Sequence, residues 1–199
     1  MKLPLVSRWL RRRQPPVPDG PRLHTGCGPE DFFPRLLDGW VNLDNRYDHP
    51  EHGPVDLVQE WPFADSSVAV VYSEDLIEHL EQRLQFIYFA EAIRVLKPHG
   101  VLRVVCPMLN ERIIRRVAFP NWPDVGFRSM DYGAEWLAWG HVLIPTYEYL
   151  ARALELIGFV EITRRNKSDS VIPDFPGDKR PVEMDPSEQL YVEARKPGR

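Results

Sequence analysis

Two short runs, Leu23-His24-Thr25-Gly26-Cys27-Gly28 and Gly39-Trp40-Val41-Asn42-Leu43-Asp44, carry most of what this chain says about its fold. Each is an apolar stretch that stops abruptly, the first at a glycine turn and the second at an acid. Gly26 and Gly28 permit a tight turn and let the backbone approach a ligand closely. Asp44 lies sixteen residues beyond Gly28, where a carboxylate at the end of the next strand can accept hydrogen bonds from both hydroxyls of a ribose. Strand, glycine turn and acid-terminated strand together form a mononucleotide-binding half.

The flanking pattern extends this unit into a parallel α/β sheet. Strands are expected at Arg22–Thr25, Trp40–Leu43, Pro54–Val58, Val68–Tyr72 and Val101–Cys106. A helix is expected over Gln82–Leu96, where Phe86, Phe89, Ala90, Ile93 and Leu96 recur at helical spacing, and Lys97-Pro98-His99-Gly100 ends it. After an aromatic, proline-containing stretch at 107–140, a helix over Thr146–Ile157 is closed by Gly158. Strands at Phe159–Thr163 and Gln189–Ala194 follow. The expected organisation is a basic, proline-rich arm at 1–21 and one domain over 22–199, with 107–140 as an insertion that closes over an acceptor.

Composition narrows the function. A chain of 199 residues suits one domain, and a net charge of −4 gives no global attraction to nucleic acid or acidic membrane. Cys27 and Cys106 form no C-x-x-C pair, so reduced thiols in a cytoplasmic protein are expected. No apolar run approaches the roughly 20 residues that span a bilayer. The basic segment Met1–Arg13 reads as a loosely docked arm, with a weak membrane-surface contact as the alternative.

The glycine turn argues against a pyrophosphate-bearing ligand. A dinucleotide fingerprint needs a third glycine where Asp31 stands; Pro29 has no N–H, and Glu30 and Asp31 repel phosphate. A cationic, phosphate-free cofactor suits these acids better, which counts against a nicotinamide oxidoreductase.

These runs resemble the opening of class I S-adenosylmethionine-dependent methyltransferases, and in particular a bacterial group of predicted methyltransferases. Trp61-Pro62-Phe63-Ala64-Asp65-Ser66-Ser67, Ser73-Glu74-Asp75-Leu76-Ile77-Glu78-His79-Leu80 and Ala92-Ile93-Arg94-Val95-Leu96-Lys97-Pro98-His99-Gly100 are similar to that family's next landmarks, in order. The resemblance implies a Rossmann-like sheet with an antiparallel last strand and S-adenosylmethionine as cofactor. It implies that Gly26, Cys27 and Gly28 face the methionine moiety, that Asp44 holds the ribose, that Asp56 and the Leu57 backbone read the adenine, and that Ser73 flanks the cofactor. Relatives of this group accompany surface-polysaccharide enzymes, so oxygen on a small molecule or glycan is the expected acceptor. The alternatives are an RNA 2′-O-methyltransferase, supported by Arg112, Arg115 and Arg116 alone, and a catalytically silent cofactor-binding scaffold. No nucleic-acid partner is expected.

An alcohol acceptor must lose its proton, to a base or with the help of a metal. Asp75, Glu78 and His79 stand at i, i+3 and i+4, a spacing that puts all three on one face of a helical turn. The pattern resembles the metal-binding turn of small-RNA 2′-O-methyltransferases and ubiquinone-pathway O-methyltransferases, and His141 falls where the RNA enzymes place a further histidine. Two readings stay open: a Mg²⁺, Mn²⁺ or Zn²⁺ site built from Asp75, Glu78, His79 and His141, or His79 or His141 as a metal-free base. His24, His49 and His52 are expected to be bystanders.

Overall fold

The structure, a computed structural model, describes residues 14–28, 36–45, 54–108, 140–143, 145–176 and 189–198. Six strands form one sheet: β1 (Arg22–Thr25), β2 (Val41–Leu43), β3 (Val68–Glu74), β4 (Leu96–Pro107), β5 (Val160–Arg165) and β6 (Gln189–Arg195), in the spatial order β2-β1-β3-β4-β6-β5. β2, β1, β3 and β4 pair in parallel, and β6 runs antiparallel to both its neighbours. This is the mostly parallel sheet with an antiparallel last strand that the sequence implies.

All seven residues of β3 are buried, as a central strand covered on both faces requires. Helices α1 (Gln82–Val95) and α2 (Tyr147–Ile157) cover one face through Tyr88, Phe89, Leu150 and Leu154, packed on Leu23, Val71, Leu102 and Val192. Thr146 caps α2 by accepting from the Tyr149 amide at 3.2 Å, and Gly158 ends it at φ 111°. Trp40, Tyr72, Val105 and Tyr191 face the other side, where Val17, Ile172 and Phe175 cover them. The proline-rich stretch before β1 therefore docks on the sheet, and the Pro21 carbonyl accepts from the Ala69 amide at 2.8 Å.

Two expectations need correction. Pro54–Val58 is a turn and not a strand. Asp56 makes it so: its Oδ1 accepts from the Val58 amide at 3.0 Å and its carbonyl from the Gln59 amide at 3.1 Å, a local closure that competes with strand pairing. The buried stripe of α1 is also rotated. Gln85, Tyr88, Phe89, Ala92 and Val95 face inward, whereas Ala90 is exposed and Phe86 and Ile93 are half-buried. Two polar side chains thus occupy the stripe that apolar spacing had assigned one residue later.

The turn at 97–100 is a bulge within β4: Val68 pairs with Leu96 and Val70 with Val101. His99 adopts φ 64° within it. Among the described residues no helix is long and apolar enough to cross a membrane. Met1–Arg13, Glu30, Asp31, His49, His52, the Arg112–Arg115–Arg116 cluster and nearly all of the 107–140 insertion lie outside the described residues.

Candidate active site

The parallel strands end together at one edge of the sheet, where open α/β sheets bind ligands. Leaving β1, the chain turns at Gly26 (φ 73°) and Gly28 (φ 67°). The Leu43 carbonyl at the end of β2 accepts from the Gly26 amide at 2.8 Å and the Cys27 amide at 3.4 Å, so the glycine turn is clipped to the neighbouring strand. The Cys27 side chain is buried. The Gly28 amide donates to Asp44 Oδ2 at 3.1 Å, and the half-buried Asp44 closes the turn from the far side. Among the described residues a Cβ on Gly28 would meet no atom within 4 Å, whereas one on Gly26 would lie 2.9 Å from the Leu76 Cβ.

Asp56 and Leu57 are brought beside Asp44 because the Val55 amide donates to the Asp44 carbonyl at 3.0 Å. Asp56 is exposed; Leu57 is buried, and its carbonyl accepts from the Trp61 indole at 3.2 Å. Ser73, opposite Thr25 in the ladder, is fully buried and stands beside the Tyr88 hydroxyl, outside the geometry of a full hydrogen bond. Thr25 donates its hydroxyl proton to the Tyr72 carbonyl at 2.9 Å, so at 2.7 Å it is Tyr88 that donates to Thr25. Burial pushes the Tyr88 phenol up to about 12, which keeps it a donor at any physiological pH.

Beyond β3, a 3₁₀ turn over Ile77–His79 carries Glu78 and His79. Leu76, immediately before it, is the residue that packs on Gly26, so this turn abuts the glycine turn. Ligand atoms of Glu78, His79 and His141 all lie within 4.8 Å of one another. The two imidazole rings meet edge to face with centroids 4.7 Å apart, and the Glu78 side chain is fully buried. The segment bearing His141 hangs from the turn, because the Glu78 carbonyl accepts from the amides of Val142 at 2.8 Å and Leu143 at 3.2 Å. His79 Nδ1 lies 3.3 Å from the Gly140 carbonyl. A carbonyl can only accept, so that bond requires the proton on Nδ1 and leaves the lone pair on Nε2.

Asp75 is not a member of this cluster. Its spacing to Glu78 and His79 would place it on their face only if one helical turn ran from 75 to 79. Instead Asp75 has φ 48° and its amide donates to the Val105 carbonyl of β4 at 3.0 Å, while the turn begins at Ile77. His24 is a structural residue, stacked on Tyr72 with centroids 5.0 Å apart and its Nδ1 3.1 Å from Asn42 Oδ1.

Two residues beneath the cluster escaped sequence reasoning. Gln85 Nε2 donates to the carbonyls of Ile77 at 2.7 Å and Leu80 at 3.0 Å, and Tyr149 donates its hydroxyl to Gln85 Oε1 at 2.9 Å. The one available signal was a glutamine a single residue off the expected apolar stripe of α1.

A family model described as "Methyltransferase domain" matches residues 46–104. Among solved structures, the chain is similar to an S-adenosylmethionine-dependent methyltransferase from Mesorhizobium loti, with 21% identity over 92% of this chain and 94% of that one and a TM-score of 0.55. It is similar also to a SAM-dependent methyltransferase from Archaeoglobus fulgidus, with 14% identity over 89% and 87% of the two chains and a TM-score of 0.57. At these identities the likeness is one of fold. The chain spans 43% of a possible exported protein from Bordetella parapertussis, at 15% identity over 72% of this chain and a TM-score of 0.45. No curated protein matches the chain in sequence.

Proposed function

We propose that the chain is an S-adenosylmethionine-dependent methyltransferase that methylates a hydroxyl oxygen of a small-molecule or glycan acceptor, a reading supported by the family-model match over residues 46–104 and by the fold it shares with solved methyltransferases. The observation that carries this reading is the convergence of His79, His141 and Glu78 on a turn that abuts the glycine turn. Nitrogen and carbon acceptors do not in general need two imidazoles and a buried carboxylate in that place; an alcohol, with its high pKa, needs a proton acceptor.

The residues around the glycine turn fit the cofactor. A Cβ on Gly28 would meet none of the described residues within 4 Å, and the Asp44 carboxylate borders the same turn. Asp44 would hold the ribose hydroxyls, Gly26, Cys27 and Gly28 would present backbone to the methionine end, and Asp56 with Leu57 would border the adenine. When bound, S-adenosylmethionine supplies an electrophilic methyl carbon on a sulfonium. His79 would then take on Nε2 the proton that the acceptor hydroxyl gives up on methylation, while the cofactor would leave as its neutral thioether. The Glu78 carboxylate balances the positive charge that appears on the imidazole, and His141 flanks the same proton.

The spacing of the three donors favours a second reading of the same residues. One carboxylate and two imidazoles within 4.8 Å form a mixed oxygen and nitrogen set of the kind that holds Mg²⁺, Mn²⁺ or Zn²⁺. In that case Glu78, His79 and His141 would hold the ion, which would make an acceptor hydroxyl easier to deprotonate.

The test is a methyl-transfer assay on a panel of sugars, glycans and phenols, with His79→Ala and His141→Ala run alongside and with EDTA added. Loss of about 10²- to 10⁴-fold in the variants is expected. Activity that survives EDTA assigns the cluster as a base; activity restored by an added divalent ion assigns it as a metal site. Methylation confined to nitrogen or carbon, or full activity in both histidine variants, refutes the oxygen-acceptor reading. Tight binding of S-adenosylhomocysteine without turnover on any acceptor would identify a silent scaffold instead.

A further inference from the structure

We infer that Gln85 and Tyr149 are positioning residues that set the spacing between His141 and the Glu78–His79 pair. This rests on the reading of those three residues as the acceptor side of the site. The turn that carries Glu78 and His79 is three residues long, too short to hold its shape by its own hydrogen bonds. Its two ends are the carbonyls of Ile77, which also accepts from the Leu80 amide at 3.1 Å, and of Leu80, and a single side-chain amide ties them together: Gln85 Nε2, at 2.7 Å and 3.0 Å. Gln85 is fully buried in the inward stripe of α1, so removing the amide leaves the buried Ile77 end with less to hold it and frees the Leu80 end.

The amide can face only one way. Flipped, it would set its oxygen against two carbonyls, and the Tyr149 hydroxyl, 2.9 Å from Oε1, reinforces the observed orientation. Tyr149 belongs to the first turn of α2, which follows in the sequence the segment that carries His141. That segment returns to the turn through the amides of Val142 and Leu143 on the Glu78 carbonyl. The connections therefore close on themselves: turn, Gln85, Tyr149, α2, the 140–143 segment, and turn again. His141 sits at one point of this ring and Glu78 with His79 at another, so the contact between the imidazoles depends on a hydrogen bond between two residues outside the pair.

The test uses the full chain with Gln85→Met, which keeps the volume and removes the donors, and Tyr149→Phe, which removes one hydroxyl from a half-buried ring. Three readouts are needed: the nuclear Overhauser contact between the His79 and His141 rings, amide exchange at His79, Leu80, Val142 and Leu143, and calorimetric affinity for S-adenosylhomocysteine. Gln85→Met should abolish the ring contact and speed exchange at those four amides by about tenfold relative to Val101–Cys106. Affinity for S-adenosylhomocysteine should stay within about twofold, since the cofactor turn is held by other bonds. Tyr149→Phe should weaken the ring contact and speed exchange at Val142 and Leu143. A folded Gln85→Met with the ring contact and exchange of the wild type overturns the inference. If that variant does not fold, unchanged contact and exchange in Tyr149→Phe overturn it. The two levels separate cleanly. Full turnover in His79→Ala and His141→Ala sinks the acceptor-site reading, and with it any role in positioning; lost turnover there with an undisturbed ring contact in Gln85→Met sinks the positioning alone.

Discussion

Replacing Asp44 by alanine should weaken S-adenosylhomocysteine binding by about 1.5–3 kcal/mol, or about 10- to 150-fold, without unfolding the chain. The magnitude comes from the charge on the acceptor. The Gly28 amide donates to Oδ2 at 3.1 Å, and a ribose hydroxyl on the same carboxylate is a hydrogen bond to a charged group worth about 1.5–3 kcal/mol. Asp44 is only half-buried, so water recovers part of the loss and the net effect stays near the value of one such bond. The fold should persist because the Gly26 and Cys27 amides remain clipped to the Leu43 carbonyl. Asp44→Asn keeps an acceptor of the same shape without the charge and should lose about half as much. Titration calorimetry, with circular dichroism to verify folding, reads both. A folded Asp44→Ala that binds S-adenosylhomocysteine as tightly as the wild type would refute the assignment of the ribose to this residue.

Other expectations follow from the same contacts. Gly26→Ala combines a left-handed backbone with a Cβ 2.9 Å from that of Leu76, whereas Gly28→Ala meets none of the described residues within 4 Å. The second should therefore cost about 1–2 kcal/mol of stability and the first clearly more; equal denaturation midpoints would show that the Leu76 contact is not what separates them. Arg103→Met should cost about 3 kcal/mol in urea unfolding, at the low end for a buried pair because Arg165 and Ser170 still hold Glu193 at 2.9 Å and 2.6 Å. Burial alone would raise the Glu91 carboxyl, but hydrogen bonds from Arg94 and the Trp61 amide hold it below its ordinary 4.5. A depressed carboxylate contributes stability above its unfolded value that disappears as pH falls through the folded one. Glu91→Gln should therefore be less stable than the wild type at neutral pH and should lose less on acidification below 4.5; parallel acid limbs in thermal unfolding would contradict this.

The elements that position the site were legible because they obey short-range rules. The two glycine- and acid-terminated runs, the β-branched run before Ser73 and the helix between Thr146 and Gly158 all form where turn chemistry and periodicity place them. The failures share a cause, which is that a polar side chain decided the local structure. Asp56 closes Pro54–Val58 on itself, although Val55 and Leu57 are as buried as strand residues would be. Gln85 and Tyr88 look like surface residues of α1 until the carbonyls and hydroxyls they satisfy are known. Asp75 has the right spacing for the cluster and the wrong backbone, since positive φ at a single residue redirects the chain before the turn starts. Arg103, in the middle of an apolar strand, gives no hint of the Glu193 carboxylate and the Asn166, Lys167 and Asp169 carbonyls that surround it. Asp56 acts within its own turn, but Gln85, Tyr88, Asp75 and Arg103 have partners dozens of residues away, and spacing within one segment cannot register them.

The antiparallel strand β6 has a consequence for how the protein is made. It is the strand synthesised latest, yet it occupies an interior place, between β4 and β5. Until residues 189–195 leave the ribosome, β4 presents an unzipped row of amides and carbonyls, and β5 lacks the neighbour that attaches it to the sheet. A nascent chain in this state offers a ready template for intermolecular pairing. The closing step joins segments far apart in sequence, which slows it. A stalled or prematurely stopped product ending before Gln189 would therefore forfeit two ladders at once, and its first fate should be recruitment by chaperones or deposition in inclusion bodies.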